Sequence, residues 1–353
     1  MIEERTLVDG GQTAEAIADR LVGWLGASRR SLDIALYDVR LPGPIGDAVA
    51  AAIRAAAARG VAVRIAFNSD GDRAVKPLPP PPRTEPSLLE ALGVPVRAIP
   101  GQPDLMHHKY VVRDGAAVWT GSTNWTLDSW TREENVLLTV ESPELARAYA
   151  HDFEDLWGRG RVEGSGAFDV PPIDVGGVPV RAWFSPGRGP ELSHRIAKRI
   201  GAAKRRVRIA SPVLTAAPIL AALNQALAEQ RVDVAGVSDA TQVAQVFAQW
   251  RDNEHSAWKG PLLARVLSGL PWSGKVSTPY APSAVHDYMH AKVTVADNVV
   301  FVGSFNLSRS GEENAENVLE IVDAGLAERM AAFVDAVRAR YPAIAVPAQW
   351  SAR

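Results

Sequence analysis

The chain has 353 residues, of which 47% are hydrophobic and 22% charged, ample apolar material for two globular domains. It contains no cysteine, which excludes disulfides and thiolate chemistry. Its formal net charge of −2 argues against a protein that holds nucleic acid mainly through phosphate contacts, since such a protein carries a basic surplus.

The opening MIEERTLVDGG is acidic and polar, without the basic and apolar regions of a secretory signal. The most apolar early stretch, residues 48–67, carries Arg54, Arg59 and Arg64, which argues against a membrane helix. A soluble, cytoplasmic protein without a transmembrane segment is therefore expected. Residues 31–39 are rich in strand formers. Residues 44–60 are helical, with Pro44 near the start and Gly60 at the stop. Residues 61–67 alternate as a strand does. The Pro-rich 77–82 excludes helix and inner strand and predicts a polyproline II loop, a candidate for the rim of a cleft. A short helix follows at 86–92, strands at 94–99, 108–113, 116–120 and 135–140, and a helix at 142–157. Residues 161–177, within a Gly- and Pro-rich stretch beginning at 158, predict a linker between domains 1–160 and 178–353. The second half repeats the order: a strand at 178–184, a helix at 189–203 whose Arg195, Lys198 and Arg199 suit a solvated face, a strand at 206–214, a helix at 216–230, a strand at 232–239 and a helix at 240–252. After an irregular stretch come strands at 291–296, 299–302 and 317–322 and a helix at 325–340. Alternating strands and helices predict an α/β architecture.

Within that order lies an internal repeat. 107-HHKYVVRD-114 matches 290-HAKVTVAD-297, both of the form H-x-K-x-x-x-x-D. Then 121-GSTN-124 matches 303-GSFN-306, and 134-ENV-136 matches 316-ENV-318. On a strand, residues i and i+2 share a face, so His107 and Lys109 project together, as do His290 and Lys292. Two lysines supply positive charge to a phosphodiester and to its transition state. Ser122, Asn124, Ser304 and Asn306, at turn-like positions, have donors for non-bridging phosphate oxygens. A neutral imidazole can attack phosphorus and a protonated one can release its proton to a leaving oxygen; an ordinary histidine pKa of about 6.5 permits both. No metal or other cofactor is implied, because the histidines come with lysines and asparagines and not with carboxylates at ligand spacing.

In these motifs the chain resembles the phospholipase D superfamily, the HKD phosphodiesterases, as two copies spanning nearly the whole sequence. The resemblance implies two α/β sandwich domains related by a pseudo-twofold axis, with a shared active-site cleft where the motifs meet. It implies phosphodiester cleavage or transfer through a covalent phosphohistidine, with His107 as nucleophile and His290 as general acid. It makes Glu134 and Glu316 the groups that orient the imidazoles. Asp114 and Asp297 belong to the motif and so to the catalytic candidates, although a strand-end turn role suits Asp better. Two copies in one chain predict a monomer, since the site needs no symmetric partner.

Other features carry two readings. His108 has Ala291 as its counterpart and should face away from Lys109, as a bystander. His286 either lines the cleft or sits in a loop. Trp125, Trp130, Trp258, Trp272, Tyr280 and Tyr288 either fold into the core or meet acyl chains or bases at a cleft. Family members act on phospholipids or on nucleic acids. The near-neutral charge favours a phospholipid substrate at a membrane surface and removal of the head group. The compact size and the basic run 197-AKRIGAAKRRVR-208 keep a nuclease open, with DNA or RNA as substrate. A phosphate-binding module without activity is a third reading, opposed by the intact His and Lys of both copies.

Overall fold

A computed structural model describes residues 1–69, 84, 86–279 and 284–350. The first half runs β1 (Ile2–Leu7), α1 (Ala14–Gly26), β2 (Ser31–Leu36), β3 (Val39–Arg40), α2 (Gly43–Ala58), β4 (Ala62–Ser69), α3 (Pro86–Glu90), β5 (Val96–Pro100), β6 (Lys109–Arg113), β7 (Ala117–Gly121), β8 (Trp125–Thr126), α4 (Leu127–Thr131), β9 (Asn135–Glu141) and α5 (Pro143–Arg159). The second runs β10 (Ile173–Asp174), β11 (Pro179–Ser185), α6 (Gly189–Ala202), β12 (Arg206–Ala210), α7 (Ala217–Glu229), β13 (Asp233–Asp239), α8 (Ala240–Arg251), α9 (Glu254–Ala257), α10 (Lys259–Gly269), β14 (Trp272–Lys275), β15 (Val293–Ala296), β16 (Val299–Gly303), α11 (Arg309–Glu313), β17 (Glu316–Val322) and α12 (Ala324–Ala339).

Two mixed sheets result. Their orders are β1-β9-β7-β6-β2-β4-β5 and β10-β11-β17-β16-β15-β12-β13-β14. Apart from the short β10, the orders correspond strand for strand. In each sheet the two crossover pairs are parallel, β2–β4 and β4–β5 in one and β12–β13 and β13–β14 in the other, and the remaining pairs are antiparallel. The halves exchange contacts reciprocally: Met106 bridges Ala315 and Met289 bridges Glu134. This is the pseudo-twofold α/β architecture expected from the repeat.

Helix α5 is capped by Ser142, whose hydroxyl accepts from the Leu145 amide, and ends at Gly160 in the left-handed region. Its partner α12 is capped by Asp323 in the same way. The apolar faces of both helices, Leu145, Tyr149, Phe153 and Leu156 on one and Met330, Val334 and Val337 on the other, join both sheets in one central core. Helices α1 and α2 close the outer face of the first sheet, and α6, α7 and α10 that of the second.

Several features go beyond the sequence expectations. Strand β1 sits at a sheet edge and its IEERTL sequence scarcely alternates; pairing with β9 and not local pattern makes it a strand. Helix α1 has a Thr13 cap and buries Ile17, Leu21 and Leu25. The stretch expected to be irregular holds α9, α10 and β14. The expected linker is packed: Val162, Val170 and Val175 enter the central core and β10 pairs with β11. Arg195 and Arg199 are not a simple solvated face, since both bind the buried Glu320 carboxylate of β17. The Pro-rich 77–82 and Tyr280 lie outside the described residues. Among the described residues no helix is long and apolar enough to cross a membrane.

Candidate active site

The two motif strands, β6 and β15, lie side by side with β2 and β12 in their sheets, and both begin at the junction of the halves. His107 and His290 precede these strands and line one cavity of about 170 Å³, together with Tyr37, Arg40, Asn124, Glu133 and Asn306. The residue before each histidine is anchored by its own half: the Met106 amide donates to Asn68 and the Met289 amide to Asp239. Each histidine's own amide donates across to the other half, His107 to the Ala315 carbonyl at 2.9 Å and His290 to the Glu134 carbonyl at 3.2 Å. The catalytic candidates are thus held by both halves at once.

Each lysine folds back onto its motif. Lys109 Nζ donates to the His107 carbonyl at 2.7 Å, and Lys292 Nζ to the His290 carbonyl at 2.5 Å. The edge of the Tyr37 ring meets the His107 imidazole with centroids 4.6 Å apart, and Lys109 Nζ lies 4.8 Å from the same Tyr37 ring. Asn124 and Asn306 face the cavity, and each has a buried Oδ1 without a hydrogen-bond partner among the described residues.

Behind the imidazoles the two halves differ. His107 Nδ1 lies 2.8 Å from Glu316 Oε2. His290 Nδ1 lies 3.0 Å from Asn135 Oδ1 and 3.3 Å from Glu133 Oε2. Glu134 is therefore not the partner of His290. Its carboxylate points the other way, to Lys275 Nζ at 3.1 Å and to the Tyr341 hydroxyl. The cause is register. Gly121 pairs with Leu137, whereas Gly303 pairs with Val318, so Asn135 and not Glu134 is the counterpart of Glu316. Residues 132–134 separate α4 from β9, but only 314–315 separate α11 from β17. One extra residue flips strand parity, so the matched ENV triplets are out of step. The pairs that correspond are Glu133 with Asn314 and Asn135 with Glu316. The pattern is E-x-N in one half and N-x-E in the other, two residues apart on one face. This alternation was the available sequence signal.

Ser122 and Ser304, expected to bind phosphate, are fully buried behind these partners. Ser122 Oγ donates to Asn135 Oδ1 at 2.6 Å and accepts the Val136 amide. Ser304 Oγ accepts the Asn317 amide and bonds to Glu316. They position the orienting groups and do not face the cavity. Asp114 and Asp297, counted among the catalytic candidates, stand in left-handed turns with φ of 58° and 52° at the far ends of β6 and β15. Seven strand steps, about 20 Å, separate them from the histidines. Asp114 accepts the amides of Arg29, Arg30 and Ser31, and Asp297 those of Lys204, Arg205 and Arg206. Each ties the entry of a neighbouring strand, β2 or β12.

His108 turns into the central core, where Nε2 lies 3.1 Å from Asp152 Oδ2 and Nδ1 3.2 Å from Asn317 Nδ2. His286 lines the cleft, with Nδ1 3.4 Å from Arg40, and Tyr288 lies beside it. Trp125, Trp130 and Trp272 are buried core residues, while Trp258 is exposed. Sequence reasoning missed Tyr37, Asp38 and Arg40, which follow β2 and line the cavity. Their counterparts at the end of β12 begin with Pro212, so the repeat offered no match. Arg40 is held by a bidentate contact to Asp38.

Burial dominates the electrostatics. It lowers the Lys109 pKa to about 7 against the pull of Glu316, and pushes Glu316 up to about 7 against Lys109. Burial also raises Glu133 and lowers Lys292. His107 and His290 fall well below the usual imidazole value, first through burial and then through the lysines. A phosphodiester anion between the two histidines would favour the cationic forms of the lysines and imidazoles around it.

The chain is similar to known proteins in sequence and in fold. The family described as cardiolipin synthase, PLD-like domain, matches residues 21–157 and 196–337, one copy in each half. Mitochondrial cardiolipin hydrolase of Xenopus laevis is 34% identical over 41% of this chain, and the human one 33% identical over 40%. The matched stretches span 62% and 52% of those relatives' lengths. Phosphatidylserine synthase of Haemophilus influenzae is similar in fold over 96% of this chain and 86% of its own, with a TM-score of 0.65 at 12% identity. Polyphosphate kinase of Porphyromonas gingivalis is similar over 96% of this chain and 47% of its own, with a TM-score of 0.60 at 12% identity. With the histidines of two HKD motifs on one cavity and a family match in both halves, the chain belongs to the phospholipase D superfamily.

Proposed function

We propose that the protein is a phospholipase D-type phosphodiesterase that cleaves the head-group diester of glycerophospholipids through a phosphohistidine on His107. The observation that carries this reading is the pair of imidazoles on one cavity, each with Nδ1 engaged from behind so that Nε2 is left for the substrate. Neutral His107 attacks phosphorus through Nε2, and the bond from phosphorus to the head-group oxygen breaks. That oxygen takes the proton from Nε2 of His290, which enters the step as the imidazolium favoured by the bound diester anion. Water then attacks the phosphohistidine, His290 recovers a proton from it, and the phosphorus–nitrogen bond breaks. Glu316 supports His107 as nucleophile, because a carboxylate on Nδ1 compensates the positive charge the imidazole gains on phosphorylation. Lys109, Lys292, Asn124 and Asn306 stabilise the non-bridging oxygens.

The lipid substrate is supported by the relatives named for cardiolipin hydrolysis and by the charge distribution. The basic run at 197–208, the main argument for a nuclease, is largely neutralised: Arg199 pairs with Glu320, Arg205 and Arg206 with Glu328, and Arg208 with Asp233 and Asp335. We further propose that one chain forms the whole site as a monomer and that no metal takes part. Purified protein incubated with cardiolipin or phosphatidylcholine vesicles and ethanol should yield phosphatidylethanol, with activity surviving EDTA. Nicked single-stranded or duplex DNA beside unchanged lipid would overturn the substrate. Loss of activity in EDTA, restored by a divalent ion, would overturn the metal-free step.

A further inference from the structure

A second and larger cavity, of about 700 Å³, opens beside the catalytic one in the first half of the pseudo-symmetric pair. Its wall is mostly apolar, with Val39, Leu41, Val49, Ile53, Leu89 and Trp125, while Asp47, Arg54 and Asp128 also line it. Arg40 and Thr126 line both cavities. These two residues are partners across the short β3–β8 pair, which forms the partition between the spaces. In the second half the matching partition is a bridge between Leu214 and Leu307. There α10 packs on α7, the counterpart of α2, and Leu263 and Leu267 join Ile219 and Leu223 in one core. The halves therefore diverge where a substrate's non-reacting part would extend from the reacting phosphate.

We infer that this cavity is the subsite for one acyl chain of the lipid substrate, entered past Arg40 and Thr126 from the diester held between His107 and His290. The inference rests on the lipid reading above. The cavity's size falls within the range of about 300–1,000 Å³ typical of small-molecule sites, and the apolar majority of its wall suits a hydrocarbon. Arg40 and Thr126, shared by the two linings, put a cation and a hydroxyl between the catalytic cavity and the larger one, which matches the order phosphate, glycerol ester, hydrocarbon along the lipid. A nucleic acid has no group to bury there.

The subsite predicts chain-length selectivity located in α2 and α3. Each methylene that loses its burial forfeits about fourfold in affinity. Ala50 lines the cavity from α2, whereas Ala55 on the same helix is exposed and does not. Dihexanoyl and dipalmitoyl phosphatidylcholine, in identical detergent micelles, and bis(p-nitrophenyl) phosphate should be compared as substrates. Ala50→Trp should lower kcat/KM for the dipalmitoyl lipid by about tenfold or more, with the other two substrates within about twofold and Ala55→Trp changing none. Should Ala50→Trp also lose the chromogenic activity through misfolding, Leu88→Asp at the more exposed mouth gives the same readout. An unchanged dipalmitoyl-to-dihexanoyl ratio in a variant that still cleaves lipid overturns the subsite and leaves the lipid reading intact. Wild-type protein that cleaves the chromogenic diester but neither lipid overturns both.

Discussion

The two histidine cradles are built from the same parts in opposite order. Behind His107, Asn314 and Glu316 stand two residues apart with the glutamate on Nδ1; behind His290, Glu133 and Asn135 stand two residues apart with the asparagine nearer. Serine holds the nearer group in both, Ser304 on one side and Ser122 on the other. A duplicated site that kept both cradles alike would have two equivalent histidines. Exchange of carboxylate and amide makes them inequivalent, which suits the two-step displacement proposed above, in which one imidazole carries positive charge while bonded to phosphorus and the other passes a proton back and forth.

The largest expected effect breaks the comparison at the histidines. Either His107→Ala or His290→Ala should lower phospholipid turnover by a factor on the order of 10³ or more. With a p-nitrophenyl ester, whose leaving group needs no proton, His290→Ala should retain a burst of nitrophenolate and trap a phosphohistidine detectable by intact-mass spectrometry. A burst in His107→Ala and not in His290→Ala would exchange the roles. A step smaller, Glu316→Gln should slow the burst by a factor on the order of 10². Asn135→Ala should leave the burst rate nearly unchanged and slow only esters with poor leaving groups. Equal burst rates in the two variants would mean that the cradles are functionally alike.

His108→Ala should affect stability and not chemistry. It leaves the buried Asp152 carboxylate with Tyr110 but without the imidazole, a loss of about 3 kcal/mol for a broken buried pair, visible as a lower denaturation midpoint with kcat retained. Asp114→Asn should show the smallest effect. Burial alone would raise the Asp114 pKa, but the three backbone amides outweigh it and hold it below the usual carboxylate value. A depressed folded value adds stability above the unfolded pKa of about 3.9, lost as pH falls through the folded one. The variant should be about 1 kcal/mol less stable at neutral pH, after screening of this exposed site, with the difference vanishing in acid and activity unaltered. A matching loss of kcat would return Asp114 to the catalytic set.

Much of the fold was legible because the repeat supplied each half with a template for the other. The parallel between 31–67 and 206–239, the paired HxK strands and the closing helices α5 and α12 all followed from periodicity, caps and glycine stops. Strand β1 escaped because IEERTL carries no pattern of its own; its counterpart β11, expected at 178–184, was the only pointer to it. The lysines, the histidines and the cleft asparagines were legible for a local reason: i and i+2 on a strand share a face whatever surrounds them.

Register, partition and burial were decided by tertiary structure. A single extra residue after α4 leaves the ENV match intact in sequence and rotates Glu134 away from the site in space, because pairing with β7 and not spacing from Asn124 sets which side chains face His290. Ser122 and Ser304 look like phosphate donors until the strands β9 and β17 close over them. Arg40 and Tyr37 acquire a role only where β2 ends at the junction of the halves. The sequence by itself determined the chemistry available, two imidazoles and two ammonium groups in a duplicated α/β frame. Only the packed structure decided which group backs each imidazole and which half keeps an open apolar cavity, because both depend on contacts between residues far apart in the chain.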